Sequence, residues 1–487
     1  MANGITAVQV DAAALSVDTS AVSYPCYLGQ APIWQIDDAD WANLAGTVML
    51  AKSIEEVRSK IGYAVPASGA FNKALSLSMA MFYHTNIEKK LPVILIVNAA
   101  TIAPGANPTT KSLTFVKGQA EIEDPYLVLN TLALDDGDTP TPAVYAKGTD
   151  YTAQFDADGQ KVIITALNPA MTTANASYKT VDPDTIQFSS NTYDLIDYIG
   201  QETGVIPATL SAPGWDNESD SSSNKVMNKL ATIAEGVVDK HWYVEAFGQI
   251  AGGTRSAAKT AKAAISSYKL KACWPWVKID GYIFPISLVF SARRQSIDAE
   301  NDGVPYESAS NEPIAITGLC DASGNIIRQL ELEGDDLNSV GIATMAFTSN
   351  MNWRTWGVCM ANYSEEGKGN IPANKLNDVA VQMMDYICND FEKKYGQKVH
   401  KPMNIREVND ILNDFAAEIN QLISEGRLIG GSIAFEPSEN STAALADGEF
   451  TFTIQEANTP PAKAIIGVVS YDVDAYDAYA EEIGGEG

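Results

Sequence analysis

The stretch of this 487-residue chain that comes nearest to a chemical motif is GGTRSAAKT at 252–260. It echoes the phosphate-binding pattern G-x-x-x-x-G-K-S/T, whose glycine-rich turn lets backbone N–H groups close on a phosphate while the lysine reaches its outer oxygens. Here Ala258 stands where the second glycine belongs. Alanine resists the positive φ that such a turn often needs, and its methyl narrows the cradle. The plainer reading is a helix start that carries Lys259 on its surface. The three histidines, His84, His241 and His400, lie in separate segments. They never stand at i, i+4, so neither an HExxH pair nor a Cys/His metal set is spelled out. His84 and His241 read as core or surface residues of their helix and strand. No G-x-S-x-G elbow occurs. In LIGGSIAF, Ser432 sits between a glycine pair and a strand, which suits a turn. The acidic loops LALDDGDTP and DADGQ miss the calcium-loop pattern and read as solvated turns. The expectation is a chain with no catalytic residues, no metal and no cofactor; it is not expected to be an enzyme.

Charge narrows the partners. The chain has 61 Asp and Glu against 33 Lys and Arg, a net charge of −28. Binding to a nucleic-acid duplex calls for clustered bases that displace counterions from phosphate. EKK at 88–90, ARR at 292–294 and EKKYGQK at 392–398 are short and diluted. Direct nucleic-acid contact and contact with anionic membranes are therefore not expected. Such a charge favours solubility and opposes self-association unless opposite charges meet at the contacts. Cys26, Cys273, Cys320, Cys359 and Cys388 are far apart and odd in number, without a CxxC. That pattern suits reduced, buried thiols. The opening MANGITAVQVDAAAL lacks a basic n-region and an apolar h-region, so no signal peptide is expected. LPVILIVNAATIAP at 91–104 is too short for a membrane span and reads as a buried strand, with no membrane insertion.

At ~100–200 residues per domain, two to four domains are expected. Residues 1–20 form a weakly apolar arm with Ile5, Val8 and Val10. Residues 21–110 and 183–345 alternate strands and helices and read as one α/β core domain. Ser53 caps a short helix with Glu56 as its capping-box partner. A buried helix follows in AFNKALSLSMAMFYHT, then the strand PVILIV. TYDLIDYIGQ reads as a helix, VIPATLSAPG as a strand and loop, and NKVMNKLATIAEG as a helix. HWYVEAFGQI reads as a strand, TRSAAKTAKAAISSYKL as a helix and KACWPWVKI as a strand. The stretch from Asp280 through Ile314 reads as a long loop region. Between 111 and 182 helical periodicity disappears. Short strands separated by Gly, Pro, Asp and Asn predict an inserted antiparallel β-sandwich, with DADGQ at 156–160 as a hairpin turn.

Residues 346–462 are the part with the clearest packing signals, and 463–487 follow as a strand-prone arm and acidic tail. NWRTWG is a strand whose Trp353 and Trp356, with Arg354 between them, are either an interface anchor or core aromatics. Asn374 is expected to cap a helix whose stripe is Leu376, Val379, Met383, Ile387 and Phe391, stopped by Gly396. Asn404 caps a second, with Glu407 as capping-box partner and Val408, Ile411, Leu412, Phe415, Ile419 and Leu422 on one face; Gly426 stops it. Burying each large side chain is worth ~1.5–3 kcal/mol, so these faces must meet something. In EFTFTIQE the alternation of Phe450, Phe452 and Ile454 marks a half-buried strand. AKAIIGVVSYD then sets β-prone side chains near the chain end, which suggests a part that joins copies of itself.

In their order and spacing these segments resemble the contractile tail sheath proteins of phages and of related tail-like particles. YPCYLGQAP, SIEEVRSKIG, MFYHT and PVILIV are similar to the family's opening pattern, with KIGY in place of its aromatic-glycine pair. YAKGTDYTAQFDADGQKVII is similar to its inserted domain. SARRQSIDAENDGVPYESASNEPI, NWRTWG, the helix pair, GRLIGGSIAF and TPPAKAIIGVV resemble its C-terminal part. The resemblance implies an α/β (α+β) multidomain fold with a mixed-sheet core and extended terminal arms. It implies a virion subunit, assembled in a host bacterial cytoplasm, that polymerises as stacked hexameric rings around an inner tail tube. The sleeve shortens to drive the tube through a bacterial envelope. Implied partners are further copies of the chain, the tube protein, and the baseplate and tail terminator proteins. A self-contact that does not close gives a helical polymer, and arms that donate strands make such contacts. Ile5, Val8 and Val10 at one end and Ile465, Ile466, Val468, Val469 and Tyr471 at the other are the candidates, hinged near Gly4 and Gly467. The family's tube-facing helix corresponds to 404–425, with Arg406, Asp410 and Asp414 on its polar face. Two other readings stay open: a cytosolic α/β enzyme with a β-insert, and a different self-assembling virion component.

Overall fold

The computed structural model describes residues 23–138, 142–236 and 242–485. Ile5, Val8 and Val10, and His241, lie outside them. The chain opens with β1 (Tyr24–Gly29), β2 (Val48–Ala51), α1 (Ile54–Ile61), α2 (Ser76–Phe82) and β3 (Val93–Val97). Every residue of β3 is buried, as a continuous apolar run in a sheet covered on both faces requires. Ser53 Oγ accepts from Glu56 N at 3.2 Å. The returning arm of the capping box falls one residue early, on Lys52 N.

Seven short strands follow: β4 (Thr109–Thr114), β5 (Gln119–Ile122), β6 (Ala133–Asp135), β7 (Val144–Tyr145), β8 (Tyr151–Phe155), β9 (Val162–Ala166) and β10 (Thr173–Tyr178). They form two antiparallel sheets, β4-β10-β6-β7 and β5-β9-β8. Leu113, Ile122, Leu134, Val162 and Ile164 fill a core separate from the main one. The β8–β9 turn is seated on the rest of the molecule. Gln35 Nε2 donates to Gly159 O at 2.9 Å, and Val65 N donates to Asp158 O at 2.9 Å. Gly159 has φ +64°, and a Cβ there would stand 2.0 Å from Tyr63 O, so only glycine fits.

The main sheet then resumes through α3 (Ile199–Thr203), β11 (Pro207–Ser211), α4 (Val226–Glu235), β12 (Glu245–Gln249), α5 (Arg255–Lys262) and β13 (Leu270–Cys273). Next come β14 (Trp276–Ile279), β15 (Tyr282–Pro285), α6 (Ile286–Glu300), β16 (Gly318–Cys320), β17 (Ile326–Ile327), α7 (Glu331–Asn338), β18 (Ile342–Phe347) and β19 (Trp353–Trp356). The order is β19-β18-β13-β12-β11-β1-β3-β2. Pairing is parallel from β18 to β3 and antiparallel at both edges. A mixed sheet covered by helices is therefore the frame of the molecule. β15-β14-β16-β17 make a smaller antiparallel sheet beside it.

Several sequence expectations need correction here. The stretch read as a long loop contains β15 and α6, whose fifteen residues are nearly all buried. A helix enclosed on all sides has no polar face, so the 3.6-residue pattern that betrays surface helices is missing. KACWPWVKI is two strands in two sheets, β13 and β14, separated at Pro275, which has no N–H to give a ladder. TYDLIDYIGQ is mostly 3-10 turns, at Ser190–Thr192 and Asp194–Tyr198, before the short α3.

The last part comprises α8 (Asp378–Tyr395), α9 (Ile405–Ser424), β20 (Leu428–Ala434), α10 (Thr442–Asp447), β21 (Thr453–Asn458) and α11 (Ala475–Gly484). The cap of α8 is Asn377, which accepts from Ala380 N at 2.9 Å, rather than Asn374. Leu376 therefore precedes the helix. Asn404 caps α9 through Arg406 N and Glu407 N, but the Glu407 side chain turns to Lys398 instead of closing a box. Ser432 lies within β20, so the expected turn there is a strand carrying both glycines. Val379, Met383, Ile387, Phe415, Ile419, Leu422 and Leu428 make the core of this part.

Candidate assembly surfaces

β20 and β21 pair only with each other, from Leu428 opposite Asn458 to Ala434 opposite Thr453. Among the described residues each strand therefore keeps one edge with no ladder. A two-stranded sheet is marginal alone, and here α9 supports it. Gly431 allows the approach: a Cβ would stand 2.9 Å from Ile419 Cγ2 and 3.0 Å from Gln455 O. The connection between the strands is pinned by buried Asn440, which donates to Glu436 O and Thr451 O and accepts from Thr451 N at 2.8 Å. The hairpin is thus rigid but open at its edges, the condition under which another strand can add.

The chain leaves β21 through two anchors. Thr459 Oγ1 donates to Gly426 O at 2.7 Å. Lys463 Nζ donates to Tyr363 Oη at 2.6 Å and lies 4.1 Å from the centre of that ring. Past Lys463, burial ceases. Ile465 is 93% exposed and Val469 95%, with Ile466, Val468 and Tyr471 similarly bare. Residues 464–471 form no regular element. Large β-branched side chains left together in water form the kind of patch that marks a contact site. The acidic tail is not unstructured to its end: α11 carries Tyr476, Tyr479 and Ile483 exposed among acids.

On α9, Arg406 and Asp410 stand at the exposed N-terminal end, 3.9 Å apart, next to an exposed Ile405. Asp414 is engaged within the chain, accepting from Tyr395 Oη at 2.9 Å. Trp353 and Trp356 are half-buried. The first is edge-on to Phe347, and the second donates through Nε1 to Asp335 at 2.7 Å.

Sequence reasoning missed a seam of buried charge beneath α8. Asp378, Gln382, Asp385 and Asn389 recur at i, i+4, i+7 and i+11, opposite the apolar stripe. Each meets a residue at or before a strand of the main sheet. Asp378 Oδ2 is 2.7 Å from Lys271 Nζ, and Asp385 pairs with Lys269. Gln382 Nε2 donates to Glu245 at 2.8 Å, and Asn389 bonds Tyr243 through both N and O of its backbone. Lys269 and Lys271 alternate with Leu270 and Ala272. That is a half-polar strand pattern in sequence, yet both faces are buried.

The phosphate-loop echo is otherwise employed. Thr254 caps α5, Ala258 is buried, and Lys259 Nζ is 2.7 Å from Asp336. His84 is buried, with Nε2 2.7 Å from Tyr27 Oη and Nδ1 3.0 Å from Lys90 O. Burial pushes its pKa down to about 4. His400 is an exposed turn residue. The cysteines are free thiols, four of them buried. Among the described residues no helix is long and apolar enough to cross a membrane.

No family model matches the chain. It is 21% identical to the tail sheath protein of Burkholderia phage BcepMu over 378 residues, 73% of this chain and 76% of that protein. It is 19% identical to the major tail sheath protein of Serratia phage KSP20 over 292 residues, 58% of this chain and 68% of that one. In structure it is similar to a chain of the anti-feeding prophage baseplate, with TM-score 0.59 and 15% identity, covering 97% of this chain and 99% of the other. It is also similar to a chain of the contracted helical sheath of the same particle, with TM-score 0.55 and 14% identity, covering 96% and 99%. The mixed α/β architecture with several sheets is thus a fold shared with these two chains of the anti-feeding prophage.

Proposed function

We propose that this chain is a structural subunit, not an enzyme, of a contractile tail sheath. It polymerises as stacked hexameric rings around an inner tail tube, and the sleeve shortens to drive the tube through a bacterial envelope. The observation that carries this reading is the exposed run Ile465, Ile466, Val468 and Val469, which leaves a body that itself presents an open-edged hairpin. The fold likeness over nearly the whole chain supports it. The chain then belongs to the virion and is assembled in the host cytoplasm. Its partners are further copies, the tube protein, and the baseplate and terminator proteins at the two ends.

In this reading the C-terminal arm, and the N-terminal residues Ile5, Val8 and Val10, add strands to the β20–β21 edges of neighbours. A donated strand making six backbone hydrogen bonds contributes roughly 3–9 kcal/mol before the entropy of ordering it. That keeps subunits linked while larger, more polar contacts break and re-form. The arm hinges between Lys463, which is held to the body through Tyr363, and Gly467. The α9 end with Arg406 and Asp410 faces the tube, and the extended sleeve is a kinetic trap released without nucleotide. Deleting residues 463–487 tests the arm. Purified truncated chain should remain folded and monodisperse, with no sleeves by negative-stain microscopy. Connected sleeves from the truncated chain would overturn the proposal.

A further inference from the structure

A cavity of about 640 Å3 lies where β11 and β12 begin, between α6 and α8. Glu245, Arg294, Gln382 and Asp385 line it, and all are more than nine-tenths buried. The charges of the seam do not balance. Its acids are Glu245, Asp298, Asp378 and Asp385; its bases are Lys269, Lys271 and Arg294. Lys271 takes Asp378, Lys269 takes Asp385, and Arg294 Nε donates to Asp298 at 2.7 Å. Glu245 is left with the Gln382 amide and the through-space pull of Arg294.

Most of the unpartnered atoms on this cavity are acceptors. Glu245 Oε1, Gln382 Oε1, Asp385 Oδ2 and Asp298 Oδ1 are buried without a hydrogen bond, against two idle groups that can donate, Arg294 Nη1 and Ser23 Oγ. A buried acceptor without a donor is expensive, and an excess of them on residues lining one space asks for a positive, donor-rich occupant. Among the described residues no three metal-ligating side chains stand close enough for one ion. A guanidinium fork or an alkylammonium chain can span acceptors that far apart. Tyr24, Tyr243 and Tyr386 also line it, and aromatic rings attract such cations. Burial pushes the Glu245 carboxyl up to about 8 and that of Asp385 up to about 6, the state a bound cation would relieve.

We propose that this cavity binds an organic cation of the guanidinium or alkylammonium class, with Glu245 as its charge partner. The cation is either a free small molecule or a basic side chain of a second copy. Residues 1–22 contain no Lys or Arg, so the N-terminal arm does not supply that side chain.

Calorimetric titration of the full-length, unassembled protein with agmatine is the test. One agmatine should bind per chain, saturably at millimolar concentration. Glu245→Gln keeps the shape and removes the charge; it should fold with an undiminished melting temperature and bind at least tenfold more weakly. Asp302→Asn, an exposed rim acid, should change affinity less than twofold. Absence of saturable binding, or equal binding by Glu245→Gln, overturns the proposal. Lys393 is the one lysine on the cavity's rim among the described residues, so the proposal is also overturned if wild type fails to bind while Lys393→Gln binds, because the cation is then the chain's own. Titrating the assembled polymer separates the sources. Binding lost on assembly assigns the site to a basic side chain of a second copy, and binding retained assigns it to a free cation.

Discussion

Lys271 Nζ on β13 stands 2.7 Å from Asp378 Oδ2 at the start of α8, and neither side chain is more than 2% exposed. Asp378 also accepts from Ser308 Oγ at 2.6 Å and from Val379 N at 2.8 Å. The pair joins the main sheet to the helix that carries the C-terminal part. Removing one partner strands a charge in the interior, which costs about 3–5 kcal/mol, whereas removing both is far milder. Lys271→Met and Asp378→Asn should each lower the urea midpoint of the unassembled protein strongly. The double variant should lose less than the two losses added. Additive losses would show that the two side chains act independently.

The exposed arm predicts a separation of folding from assembly. Ile466→Asp and Val468→Asp change side chains that touch nothing in the isolated chain, so stability should shift by no more than ~0.5 kcal/mol. Polymer formation, followed by sedimentation, should nevertheless fail. Normal sedimentation of the doubly substituted chain would remove these residues from the contact.

The exposed end of α9 gives a comparable test. Arg406 and Asp410 form a long, exposed ion pair whose loss should cost little. Arg406→Glu with Asp410→Lys should leave the melting temperature unchanged and abolish co-sedimentation with purified tubes. Unchanged tube binding would place the tube contact elsewhere.

Stability should fall as pH rises through the range where Glu245 is protonated only in the folded state. Desolvation raises its carboxyl from the ordinary 4.5 to about 8, with Arg294 and Lys269 opposing and Asp385 and Asp378 reinforcing. The folded state then holds the extra proton, so this contribution is complete below about pH 4.5 and is lost by about pH 8. Relative to wild type, Glu245→Gln should gain stability from pH 5 to 8 by at most ~1.4 kcal/mol per pH unit and level off above. Urea unfolding at stepped pH measures this, and a constant difference would contradict it.

Gly159→Ala should loosen the insert from the body. The residue needs φ +64°, and its Cβ would collide with Tyr63 O, so a loss of ~1–2 kcal/mol is expected from the backbone alone. Exchange of the Val65 amide, held by Asp158 O, should accelerate. Unchanged exchange would mean that the tip contact does not hold the insert.

What could be read from the sequence follows the physics of each element. β3 and α9 were legible because VILIV is a solid apolar run and Ile411, Phe415, Ile419 and Leu422 recur at helical spacing. α6 was not, because Phe290, Arg294 and Asp298 are all buried and no face is left to be polar. Asn374 and Asn377 are both plausible caps three residues apart, and only backbone geometry chooses between them. Of the candidate assembly surfaces, the apolar run Ile465, Ile466, Val468 and Val469 was legible as hydrophobicity with no partner in its own segment, and it is exposed. The seam under α8 was not, since Lys269 and Lys271 look like surface residues until a second element is laid over them. Gly430 and Gly431 suggested a turn because their conformational freedom is visible in sequence, whereas the close approach of Ile419 is not.

The Lys463 anchor fixes a length. Eleven residues, 464–474, lie between it and α11, and fully drawn out they span about 38 Å. Under the proposed assembly, a neighbour that grips α11 would be on a leash. Beyond that separation either the helix would have to unravel or Lys463 would have to let go of Tyr363, so the travel open to such a pair is limited by the count of residues between two fixed points.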